Sequence, residues 1–187
     1  MKLTIGIAVV VALIAGAFLF VYGGSVFKDA PAQTTTQHIN LYANGTYGIS
    51  FPYSDAYLVS EGERGTPQHP HYAIVLTHKD DVTLPVGGEG PTTITIDIYD
   101  VDSLTTLEQW LATTPESNLG LGSGKTIPLV VGEQDALTYR WSGLYEGITT
   151  VLLHNERIVT LTVTYLSPED QIIKDYQVLV DGFTLTK

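Results

Sequence analysis

Three clusters of side chains could do chemistry. His69-Pro70-His71, with His78 further on, supplies imidazoles, and residues i and i+2 of an extended segment share a face. Asp80 or Asp81 would add oxygen ligands for a zinc-like ion. Against a preset metal centre, the stretch reads as a flexible loop in which nothing converges the ligands. Exposed loop histidines are the plainer reading. Asp97, Asp100 and Asp102 raise the question of calcium. Counted from Asp100, however, the fifth position of an EF-hand grid is Leu104, the sixth is Thr105 where glycine is required, and the twelfth is Leu111. The same carboxylates could pair for acid–base hydrolysis, but spacing alone sets no distance between them. A solvated strand end running into a helix cap accounts for all three.

The third cluster is Gly120-Leu121-Gly122-Ser123-Gly124-Lys125-Thr126, which resembles a phosphate loop. The pattern needs glycine five residues before Gly124, and Leu119 stands there, so a loop starting at Gly120 is one residue short. A strand from Thr126 to Val131 follows where a helix should begin, which argues for a connection and against nucleotide. Ser123 has no nucleophile elbow either, because Leu121 occupies a position where that motif needs glycine. The eleven tyrosines suit half-buried strand positions with wet hydroxyls better than a sugar-stacking platform. No catalytic, cofactor or metal residue is assigned.

Composition narrows the partners. The chain has 187 residues and no cysteine, so disulfides, thiolate chemistry and a lipoprotein cysteine are excluded. All twenty acidic residues lie from Asp29 onward, against seven basic ones, a net of −13 for that part. Without a basic footprint, nucleic acid is a poor partner, and close docking on anionic lipid is disfavoured.

Leu3 to Tyr22 is an uncharged, almost wholly apolar run. As a helix it would span about 30 Å, the thickness of a bilayer's hydrocarbon core. It is longer than a signal-peptide core, although Ala30-Pro31-Ala32 offers a small-x-small pattern near which cleavage would leave a soluble protein. The expectation is a retained anchor over 1–27 with a cytoplasmic amino terminus, a polar linker over 28–38, and one extracytoplasmic domain over 39–187.

Within that domain, Leu41–Ala43 and Thr46–Phe51 flank Asn44-Gly45, a hairpin signal. Asn44-Gly45-Thr46 is also a glycosylation sequon, but the turn explains the pair. Strands are expected at 72–77, around Ile94, Ile96 and Ile98, at 137–141 and 151–153, and over Val159 to Tyr165, where apolar residues alternate with threonines. A helix is expected over 104–113, with Leu104, Leu107 and Leu111 on one face and Ser103 or Thr105 as cap. A second should start at Ser167-Pro168 with Asp170 in capping-box spacing, burying Ile172, Tyr176, Leu179, Val180 and Phe183. The segments 61–71 and 80–92 read as long loops.

These pieces resemble, in order, the PsbP-like domains named for the extrinsic photosystem II protein, over about residues 39–187. The carrying segments are Tyr47-Gly48-Ile49-Ser50-Phe51 with Tyr53 and Tyr57, then Leu104–Leu111 with Glu108 and Trp110. Val131-Gly132 with Ala136 follows, then Val178–Leu185 around Phe183. Ser54 replaces the usual proline and Tyr57 the usual tryptophan. The resemblance implies an α+β fold, an antiparallel sheet covered by helices as an α/β/α sandwich, and a habit of docking to other proteins. It implies no shared catalytic residue. The expected function is a non-enzymatic accessory module, held in the cell membrane by its N-terminal helix and binding another envelope protein. The alternatives are a small-ligand or metal-binding domain, or an envelope hydrolase using His69, His71, His78 or the aspartates.

Overall fold

The computed structural model describes residues 38–82 and 90–186, so the apolar run, the linker up to residue 37 and part of the 80–92 segment lie outside them. No helix among the described residues is long and apolar enough to cross a membrane.

Among the described residues, ten strands and two α-helices follow in chain order: β1 (Ile39–Asn44), β2 (Ile49–Ser54), β3 (Tyr57–Thr66), β4 (His69–His78), β5 (Thr93–Asp100), α1 (Leu107–Thr113), β6 (Ile127–Val131), β7 (Gln134–Ser142), β8 (Glu146–His154), β9 (Arg157–Tyr165), α2 (Gln171–Asp181) and β10 (Thr184–Leu185). Among the described residues, β3-β4-β5-β9-β8-β7-β6 form one sheet and β1-β2-β10 a small second one. Every pairing is antiparallel.

Alternation sorts the large sheet into two faces. Ile94, Ile96, Ile98, Leu161 and Val163 point to one side and are buried with Phe51 of β2 and Ile172, Tyr176 and Leu179 of α2. Tyr99, Val151 and Ile158 point to the other side, where Trp110 and Leu111 of α1 cover them together with Tyr139 and Trp141. The sheet is therefore covered on both faces, an α/β/α sandwich. The expected apolar stripe of α2 is buried, with Phe183 just past the helix end at 2 % exposure.

Several local expectations need correction. Residues 61–71 are no loop. They form the outer half of the β3–β4 hairpin, with Glu63 opposite Tyr72 and Gly65 opposite Pro70. Charge and glycine hid these strands because their outer ends are mostly solvent-exposed. The 80–92 segment begins as a 3-10 turn over Lys79–Asp81, and 83–89 fall outside the described residues. The β1–β2 connection spans 45–48 rather than the Asn-Gly pair alone. Asn44 Oδ1 accepts from the Thr46 and Tyr47 amides, and the left-handed residue is Gly48.

Helix α1 starts later than expected, because Thr106 and not Ser103 or Thr105 closes a full capping box with Gln109. Leu104 is thereby left outside the helix, 88 % exposed. Helix α2 also starts late: Asp170 is its N-cap residue, and its Oδ2 accepts from the Leu166 and Ser167 amides, so Ser167-Pro168 belongs to the preceding turn.

Candidate functional site

The first consequence of the β3–β4 hairpin is that His69 and His71 stand on a strand. Spaced by two, they share the sheet face that carries Asp97 and Tyr99 of β5. His71 Nε2 is 3.5 Å from Asp97 Oδ1, with side-chain exposures of 15% and 19%. Its ring packs on Tyr99 at 4.8 Å between centroids, and Tyr99 packs on Trp110 at 5.2 Å. His71 Nδ1 is fully buried with no hydrogen-bond partner among the described residues. Gly65 sits over it, where an added Cβ would come within 2.8 Å.

Burial lifts the Asp97 carboxyl above the ordinary carboxylate range. The facing His71 and the hydroxyls of Thr95 and Thr160 pull it part of the way back. His69 is more exposed, with Nδ1 at 3.9 Å from Glu116 Oε1; the other oxygen of Glu116 is buried and unpartnered among the described residues.

These groups border a cleft of about 370 Å³ at the ends of β4 and β5. Its walls include Tyr47, Tyr72, Tyr99, Trp110, His69 and His71, with Glu63 and Asp100 as the acidic groups. Tyr47 packs at a tilt against Tyr72, 4.6 Å between centroids, and lies under the Arg157 guanidinium at 5.3 Å. Arg157 Nε in turn donates to Asp100 Oδ1 at 2.9 Å, joining β9 to β5. Tyr47 and Tyr72 pack on the sheet face of Ile98, whereas His71, Tyr99 and Trp110 belong to the other face, so the cleft wraps round the strand ends between the two aromatic groups.

The other candidates do not join this group. His78 lies at the far end of β4, where its Nδ1 accepts from the Asp80 amide at 3.3 Å. Asp102 accepts from the Thr105 amide through its backbone oxygen, and its side chain is exposed before α1. Asp97 is thus apart from Asp100 and Asp102, which border a second cleft of about 580 Å³ beside Trp110. Among the described residues no group of three or more His, Asp or Glu side chains could hold a metal ion. The 120–126 segment is a 3-10 turn over Leu119–Leu121 followed by a bridge from Gly122 to Trp141, with no strand leading in and no helix leading out. The aromatic wall was missed in the sequence. Tyr47, Tyr72, Tyr99 and Trp110 come from four separate elements, and each alone reads as a core residue.

No family model and no curated protein sequence matches the chain. Among solved structures, the fold is similar to the solution structure of cyanobacterial PsbP (CyanoP) from Synechocystis sp. PCC 6803. The superposition has a TM-score of 0.54 and covers 87% of this chain and 98% of that one, at 13% identity. The domain therefore has a PsbP-like fold, as its short motifs imply.

Proposed function

We propose that this chain is a membrane-tethered, extracytoplasmic accessory module that docks another envelope protein and does no chemistry of its own. The observation that carries the reading is the disposition of His71. Nδ1, the ring nitrogen turned away from Asp97, is sealed beneath Gly65 of the hairpin, and Nε2 is held against the Asp97 carboxylate at 3.5 Å, so the nitrogen that the carboxylate would leave free for a substrate is the buried one. A general base must reach the proton that it takes. The half-buried Tyr47 and Tyr72 offer instead an aromatic wall at the cleft mouth, backed by the buried Tyr99 and Trp110, the kind of surface that anchors protein partners. Glu63 and Asp100 at its edge, on a domain of net −12 over 39–187, suit a partner presenting basic side chains. The tether rests on the apolar run Leu3 to Tyr22.

A small-ligand or metal-binding role is the second reading. It is favoured by His69 and His71 lying in one cleft, each facing a carboxylate. The test is crosslinking of intact membranes holding the full chain, followed by capture. One reproducible envelope protein, recovered equally with wild type and Asp97→Asn, is expected. Recovery of no partner, together with a turnover that Asp97→Asn abolishes, would promote the enzyme.

A further inference from the structure

On the opposite side of the sheet, α2 does not reach the β6–β7 end, and a groove of about 600 Å³ remains. Ile127, Leu129, Ile148, Ile173 and Val180 form its apolar walls, and Ile127 stays 65 % exposed. The hydroxyls along its floor are already satisfied by the protein. Tyr176 bonds to Thr150 Oγ1 at 2.8 Å, Thr150 donates to Thr138 Oγ1 at 3.2 Å, and Thr138 donates to the Thr149 carbonyl at 3.1 Å. The Gln177 amide donates to Asp181 at 2.8 Å. A ligand therefore meets an essentially apolar floor.

The groove's charge is opposite to that of the domain. No carboxylate lines it, whereas Lys125 and Arg140 do. Neither cation has an ion-pair partner among the described residues; Arg140 bonds only to the Tyr165 hydroxyl, at 3.2 Å, leaving most of its donor fork open.

We propose that this groove binds a single-chain amphiphile with a carboxylate head, a fatty-acid-like molecule. The head would sit at Lys125 and Arg140 and the chain would run over Ile127, Leu129 and Ile173. Its volume falls in the range of small-molecule sites. A singly charged head also meets less long-range repulsion from a net −12 domain than a phosphate would.

The test uses the full chain in nanodiscs of zwitterionic lipid and a decanoate probe carrying an alkyl diazirine. Photolysis should label the peptides containing 127–129 and 173–180. Decanoate should compete, whereas decanol and decylammonium at the same concentration should not. Lys125→Glu with Arg140→Glu should cut that labelling by about tenfold or more, the scale of one lost charge-assisted contact. If that pair does not fold, as judged by circular dichroism, Lys125→Gln with Arg140→Gln serves in its place. Labelling confined to 3–22, labelling spread evenly over the domain, or equal competition by decanol would each overturn the proposal.

Discussion

His71 and Asp97 face each other across adjacent strands, 3.5 Å apart and mostly buried, with Tyr99 packed at a tilt against the imidazole. Because burial raises the Asp97 carboxyl pKa in the folded state, its protonated form favours folding. That contribution is complete below the unfolded value of about 4 and is lost as pH rises through the folded value. Asp97→Asn can keep the contacts with Thr95 and Thr160 but carries no charge. Its stability relative to wild type should therefore increase as pH rises from about 4 towards neutrality. Denaturant midpoints across that range, read by tryptophan fluorescence, would show it. A gap that shrinks with rising pH would mean that attraction to His71 outweighs the burial of charge.

Phe183 closes the core where α2 ends. Its ring stacks on Phe51 at 6.0 Å with 5° between planes, and Leu179 beside it is 1% exposed. Phe183→Ala should cost about 3–5 kcal/mol, the transfer term plus a cavity that the neighbours only partly fill. Both tryptophans, Trp110 and Trp141, lie in this domain, so fluorescence-detected melts of the full chain report it directly. An unchanged midpoint would show that α2 and its exit do not dock as described.

The sheet core was legible and the site largely was not, for one physical reason. Strands such as β5 and β9 advertise themselves because one face is buried and the other is threonine, so a period of two survives in the sequence. The outer halves of β3 and β4 have little buried on either face, and with Gly62, Gly65 and Pro70 they read as loop. Once that hairpin is missed, His69 and His71 lose their strand, and the facing of His71 and Asp97, set by register across two chain segments, cannot be inferred. Asp97 itself left a faint trace, as an acid inside the TITIDIYD alternation. The α2 stripe was readable from helical spacing, whereas its start was not, because Ser167 and Asp170 are both good caps and the turn geometry chose the later one.

Trp141 lies across Gly147, its register partner on β8, and donates from Nε1 to Thr149 Oγ1 at 3.0 Å. A Cβ on Gly147 would stand 2.2 Å from indole Cε2, closer than packing permits. Gly147→Ala should therefore push the indole off the sheet and cost about 1–3 kcal/mol, as overpacking does. The change should also alter the tryptophan emission. Pairing it with Trp141→Leu should recover part of the loss in a double-mutant cycle. An additive cycle would contradict the contact.

What the cleft touches separates a docking module from an enzyme. A photo-crosslinking amino acid placed at Tyr72, in the aromatic wall, and in a separate variant at Leu144, an exposed position that is not among the cleft's lining residues, tests it in intact cells. The full chain should give one discrete adduct with an envelope protein from position 72 and none from position 144. It should do so undiminished when Asp97 is changed to Asn. The same adducts from both positions, or none from position 72 while Asp97→Asn abolishes a measurable turnover, would contradict a non-catalytic docking module.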